Sequence, residues 1–170
     1  MELDKTNDCN TTIGVVGLGY VGLPAMHSFH EVGYNVIGID VSEKKIDLLN
    51  RGINPLSDTT DSSSIPLESK RWSISSNFED SINKCDIIII AVPTPVSDKK
   101  PDLNYIKKAT KSILENLNLE RRTIVILEST VYPGITRDLL INKAKELELS
   151  DEEVAFAYCH ERVSPGESNR

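Results

Sequence analysis

The chain has 170 residues, 39% hydrophobic and 26% charged, with a net charge of -7 and a pI near 5.0. That describes one domain able to build a core without staples, and it excludes collagen-like, coiled-coil and wholly disordered classes. No basic tract interrupts the acidic balance, so neither nucleic acid nor an anionic membrane is an expected partner. The longest apolar run, Ile87 to Val92, is far below the ~20 residues of a membrane span. The opening MELDKTNDCNTT is polar and acidic, unlike a signal peptide. Cys9, Cys85 and Cys159 are widely spaced and form no CxxC pair. That is a reduced, cytoplasmic inventory rather than a disulfide framework.

Residues 1–11 read as a polar tail and residues 12–170 as the domain. Thr12 to Val16 is the first expected strand, ending in a glycine turn. A helix follows over Leu23–Val32, with Pro24 tolerated in its first turn and Gly33 at its end. Asn35 to Asp40 is a second strand. Ser42 is placed to cap a helix over Glu43–Asn50, closed by Gly52. Residues 53–70, rich in Ser, Asp, Thr and Pro, read as a surface loop. Trp72–Ser75 is a weak strand, and Asn77 opens a short helix to Lys84. Asp86 to Ala91 is apolar on consecutive positions, which a strand covered on both faces requires. Ile106, Ala109, Ile113, Leu114 and Leu117 recur near a 3.6 spacing, predicting a helix over Asn104–Leu117. Thr123–Leu127 is a fifth strand, Ile135–Leu149 a helix and Val154–Tyr158 a sixth strand. Strands separated by helices of this length pair in parallel through right-handed crossovers. The expected fold class is α/β, a Rossmann-like doubly wound sheet of about six mainly parallel strands with helices on both faces.

Gly17-Leu18-Gly19-Tyr20-Val21-Gly22 is a GxGxxG pattern that follows a strand and opens a helix. Gly17 permits the tight turn, Gly19 lets backbone approach a pyrophosphate, and Gly22 lets helix pack on strand. The helix N-terminus offers free N–H groups to the phosphates. The second strand ends in Asp40, 23 residues beyond Gly17, where an acid meets the adenosine ribose hydroxyls. Its charge would repel a 2′-phosphate, so the expected cofactor is NAD rather than NADP. The competing reading is a tight turn whose Asp40 merely caps the next helix.

The stretch Gly14-Val15-Val16-Gly17-Leu18-Gly19-Tyr20-Val21-Gly22-Leu23-Pro24 resembles the opening of the UDP-glucose/GDP-mannose dehydrogenase family. Val92-Pro93-Thr94-Pro95, Pro101-Asp102-Leu103, Glu128-Ser129-Thr130-Val131-Tyr132-Pro133-Gly134 and Glu161-Arg162-Val163-Ser164-Pro165-Gly166 follow in the family's order. The last two look like the branch that oxidises UDP-N-acetylhexosamines. The resemblance implies oxidation of a sugar C6 alcohol to a carboxylate with two NAD, through capture of the aldehyde by a cysteine. It implies a UDP-sugar partner and, for a full-length form, a homodimer.

The resemblance also assigns residues. Tyr20 and Val21 would meet the pyrophosphate through their backbone, Tyr20 being otherwise an exposed turn aromatic. Lys45 stands where the family usually has arginine near the adenine ribose; it is either that ligand or a solvated neighbour of Lys44. Thr94 leaves the fourth strand at the carboxyl end, where open α/β sheets bind ligands, or simply sits in a proline-stiffened exit. Thr130 would contact NAD and hold a water near the reacting carbon. Glu161, Arg162 and Val163 would meet the sugar nucleotide, with Glu161 near the C6 chemistry and Arg162 on an anion. The plainer reading of that segment is a polar, frayed end. His160 replaces the family's usual proline, and Pro165 departs from the UDP-glucose branch.

His27 and His30, three residues apart on one helix, have only Glu31 nearby and read as surface or packed side chains rather than a metal site. In the family a catalytic lysine and a cysteine nucleophile lie in segments not matched here, and none of the three cysteines has the nucleophile's glycine-rich setting. The expectation is the NAD-binding portion of a nucleotide-sugar 6-dehydrogenase, catalytically incomplete alone. The alternative is a module or split subunit that holds NAD without turnover.

Overall fold

A computed structural model describes residues 9–56, 64–97 and 100–160. In chain order the elements are β1 (Cys9–Val16), α1 (Gly22–Glu31), β2 (Tyr34–Ile39), α2 (Glu43–Asn50), β3 (Trp72–Ser75), α3 (Phe78–Ile82) and β4 (Ile87–Ile90). There follow β5 (Val96–Ser97), β6 (Lys100–Pro101), α4 (Asn104–Leu114), β7 (Thr123–Leu127), a π-helical stretch (Thr136–Ile141), α5 (Asn142–Glu146) and β8 (Val154–Tyr158). Six strands form one sheet in the order β3-β2-β1-β4-β7-β8, and every pairing in it is parallel. The doubly wound expectation holds.

The sheet is buried on both faces because side chains alternate along each strand. Ile13 and Val15 of β1, with Ile89 of β4, pack under Leu23 and Met26 of α1 and Ile46 and Leu49 of α2. Val16, Ile88 and Ile90 point the other way, onto Ile82 of α3, Ile106 and Ile113 of α4, and Leu140 and Ala144 of the last helical segment. Consecutive isoleucines in β4 thus serve two different cores. Ser42 and Asn77 cap α2 and α3 with side-chain acceptors, as their positions predict.

Three local features differ from expectation. β1 begins at Cys9, inside the expected polar tail, with a register irregularity between Cys9 and Thr12. β5 and β6 pair antiparallel as a separate two-stranded sheet. The helix expected over Ile135–Leu149 opens in π geometry and ends at Glu146. π-turns are uncommon and concentrate near functional sites.

Candidate functional site

The strand order reverses beside β1, whose neighbours are β2 and β4. Open α/β sheets bind ligands at that crevice, outside the carboxyl ends of the strands. The glycine loop sits there. Gly17 has φ 99°, and its N–H donates to the Ile39 carbonyl at 2.8 Å. A Cβ on Gly17 would lie 2.6 Å from the Ala91 carbonyl oxygen, and one on Gly22 would overlap the Gly17 carbonyl. Both positions therefore demand glycine. Gly19 is different: a Cβ there would meet no atom within 4 Å. That direction is open space beside a helix whose N-terminus carries no side-chain cap. Uncapped N–H groups next to room for a ligand suit a pyrophosphate. Leu18 anchors the loop in the core while Tyr20 is half exposed.

Asp40 is buried at the end of β2. Its Oδ2 accepts the Leu18 N–H at 2.9 Å and its Oδ1 accepts the Ser42 N–H at 2.9 Å. Lys45 Nζ closes an ion pair on Oδ2. The carboxylate therefore joins three segments: the glycine loop, the turn after β2 and the first turns of α2. The solvated reading of Lys45 does not describe this geometry, since its ammonium lies on Asp40. The capping reading of Asp40 does not hold: Ser42 caps α2 with its own side chain, and Asp40 instead accepts the Ser42 N–H while bracing the loop.

Across the switch point, β4 and β7 release their chains side by side, with Ile90 opposite Leu127. Thr94 is half-buried between Pro93 and Pro95, and Thr130 is exposed. Ser129, immediately before Thr130 in the chain, is buried. Its hydroxyl donates to the Val92 carbonyl at 2.7 Å, with the Ile90 carbonyl at 3.3 Å. The Glu128 and Ser129 N–H groups both donate to the Ile90 carbonyl, at 2.9 and 3.1 Å. The far side of the proline loop is held by the Asp102 N–H on the Pro95 carbonyl at 2.7 Å. Nothing in the sequence pattern marks Ser129 apart from its threonine neighbour; only the strand pairing brings it to β4.

The structure thus brings Gly17, Gly19, Tyr20, Val21, Gly22, Asp40, Lys45, Thr94 and Thr130 to one edge of the sheet. Glu161, Arg162 and Val163 lie outside the described residues. Cys159 is exposed where β8 ends, its N–H on the Leu127 carbonyl at 3.1 Å. Cys85 is buried ahead of β4, with Sγ donating to the Ser81 carbonyl at 3.2 Å. Burial pushes its thiol up to about 12, which makes it a poor nucleophile. His27 and His30 pack on Trp72, with ring centroids 4.7 and 5.5 Å away. His30 Nε2 also hydrogen-bonds Ser69 Oγ at 2.8 Å, and burial, aided by Arg71, holds it below the ordinary histidine value. They are packed helix histidines. No group of three His, Cys, Asp or Glu side chains is placed to hold a metal among the described residues, and no described helix is long and apolar enough to cross a membrane.

A parallel sheet with a glycine loop, an uncapped helix and a buried acid ending the next strand defines a dinucleotide-binding domain of the oxidoreductase type. Residues 11–170 match the family model described as UDP-glucose/GDP-mannose dehydrogenase family, NAD binding domain. The chain belongs to that family and is its NAD-binding domain. A UDP-N-acetyl-D-mannosamine dehydrogenase of Methanocaldococcus jannaschii is 37% identical over 171 residues, covering 95% of this chain and 37% of the relative. A UDP-N-acetyl-D-glucosamine 6-dehydrogenase of Pseudomonas aeruginosa is 36% identical over 91% of this chain and 36% of its own length. Among solved structures, the UDP-D-ManNAc dehydrogenase of Pyrococcus horikoshii superposes with TM-score 0.81 at 29% identity, over 92% of this chain and 37% of that one. A ternary complex of GDP-mannose dehydrogenase from Pseudomonas aeruginosa gives 0.80 at 26% identity, over 91% and 37%. The chain spans under two-fifths of the length of these relatives.

Proposed function

We propose that this chain is the cofactor-binding portion of a nucleotide-sugar 6-dehydrogenase that oxidises the C6 alcohol of a UDP-N-acetylhexosamine to a carboxylate, using two NAD. The supporting observation is the gathering of Gly17–Gly22, Asp40, Thr94 and Thr130 along one sheet edge, at a switch point shaped for a dinucleotide. Relatives named as UDP-N-acetylhexosamine dehydrogenases supply the substrate class.

Bound NAD would supply the hydride acceptor for the sugar carbon. The glycine loop and the N-terminus of α1 hold the pyrophosphate, and Asp40 with Lys45 holds the adenosine ribose. Thr94 and Thr130 flank the nicotinamide end, and the Thr130 hydroxyl orients a water by donating and accepting at once. Glu161, Arg162 and Val163 meet the UDP-sugar. With Cys85 and Cys159 both free thiols, a reducing cytoplasm is the compartment that fits.

A second reading, that these 170 residues hold NAD without turnover until a partner segment completes the site, is favoured by Cys85. Its buried thiol cannot serve as the nucleophile that the two-step oxidation needs. The test is NADH absorbance with UDP-N-acetylhexosamines at saturating NAD. The chain alone should form none over hours, and adding the remaining part of the Methanocaldococcus jannaschii relative as a separate chain should start production. Steady NADH formation by the chain alone that vanishes in Cys159→Ala would overturn the incompleteness. No NADH with the added segment, under conditions where the intact relative works, would count against the dehydrogenase reading.

A further inference from the structure

We infer that Ser129 is a positioning residue for the nicotinamide half of the cofactor; this rests on the dehydrogenase reading above and deepens it. Pro93 and Pro95 have no N–H, so the segment 92–95 keeps only the Val92 and Thr94 backbone donors and leans on its carbonyls for anchorage. Two of those carbonyls are gripped from outside: Val92 by the Ser129 hydroxyl at 2.7 Å, and Pro95 by the Asp102 N–H at 2.7 Å. Thr94 stands between the two grips. Ser129 is itself fixed, because its N–H donates to the Ile90 carbonyl at 3.1 Å. It immediately precedes Thr130 in the chain. One buried hydroxyl therefore sets where Thr94 stands relative to Thr130, without pointing at the cofactor itself.

The strand order says which half of the dinucleotide feels this. Such folds are built from two mononucleotide-binding halves meeting at the switch point. Asp40 ends β2, on the β3-β2-β1 side, and serves the adenosine half. The Ser129 clamp lies between β4 and β7, on the other side. Loss of the clamp should therefore weaken the contribution of the nicotinamide half and leave adenosine recognition alone. An alanine would also strand the Val92 carbonyl, so some loss of fold stability is expected and cannot by itself support the role.

The experiment compares NAD with AMP, which carries only the adenosine half, by isothermal titration on the full chain and on Ser129→Ala. In the unsubstituted chain NAD should bind more tightly than AMP. In Ser129→Ala the ratio of the two affinities should fall by about tenfold with AMP affinity unchanged, as loss of one buried hydrogen bond implies. An unchanged ratio, whatever happens to the melting temperature, makes Ser129 a structural staple and overturns the inference. A parallel loss of both affinities does the same. If the alanine variant does not fold, Ser129→Cys, similar in volume but a weak donor, takes its place: a fallen ratio supports the role and an unchanged one overturns it. Absence of NAD binding by the unsubstituted chain would instead sink the cofactor reading on which this rests.

Discussion

The two edges of the sheet use one device for opposite ends. At the carboxyl edge, Asp40 accepts the Leu18 N–H and pairs with Lys45. At the amino edge, Asp86 accepts the Thr12 N–H at 2.7 Å and pairs with Arg121 at 2.8 Å. Each carboxylate ties a backbone N–H in or just after β1 to a cation on another segment. The surroundings differ. Arg121 also donates to the Asn83 carbonyl at 3.0 Å, so the amino edge closes on itself. At the carboxyl edge the acid is buried, yet the loop it braces faces empty space at Gly19 and an uncapped helix. A carboxylate with good partners does not identify a site; unfilled room and unspent donors beside it do.

Cys85 and Cys159 divide along the same line and give the largest contrast. At pH 8 a thiol held at about 12 is thiolate in about one molecule in ten thousand. Cys159, which is exposed, should therefore be alkylated by iodoacetamide well ahead of Cys85, which should react only on unfolding; mass spectrometry of timed samples checks this. Cys85 stays protonated in the folded chain where the unfolded chain, at its ordinary 9.0, has lost the proton. The chain should lose stability as pH rises through 9 towards 12, and Cys85→Ala should remove that loss in denaturant titrations.

Gly19→Val fills the open side of the cradle. It should weaken NAD binding by at least about a hundredfold while the circular dichroism stays native, since a Cβ at this position meets no atom of the chain within 4 Å. Unchanged affinity would reduce the loop to a turn. At the closed edge, Asp86→Ala should cost about 2 kcal/mol of unfolding free energy, from charge-assisted bonds in a half-exposed setting, with NAD affinity intact. A change in NAD affinity there would break the contrast. Asp40→Ala sharpens it. NAD should bind more tightly than NADP to the unsubstituted chain, and the variant should narrow that preference by roughly fivefold. Equal affinities in the unsubstituted chain would remove Asp40 from cofactor choice.

The fold was readable where burial leaves a periodic trace. Ile87 to Ile90 are consecutive because each face of β4 has its own core, and Ser42 and Asn77 mark helix starts by chemistry alone. The β5–β6 hairpin left no trace: two-residue strands are too short for periodicity, and Pro101 argues against one. The π-helical turn was equally hidden, since six residues are too few for apolar spacing to separate i→i+5 from i→i+4 bonding. At the site, GxGxxG and Asp40 announce themselves through fixed spacing. The Lys45 pairing and the Ser129 clamp do not, because the first depends on a side-chain rotamer and the second on a contact 37 residues away in sequence.

The close fit of Gly17 against Ala91 also carries a timing. β1 pairs with β2 about twenty residues downstream, but its other partner, β4, is more than seventy residues later. Closing that larger loop is the slower search, since distant contacts are rewarded only after the chain entropy between them is lost. Until β4 arrives, the Gly17 turn lacks the wall made by Ala91 backbone, and the loop has no fixed floor. A chain emerging from the ribosome would assemble the β1-α1-β2-α2-β3 half first and gain a competent phosphate cradle only after residue 91 docks. Cofactor capture is then a report that both halves of the sheet have met.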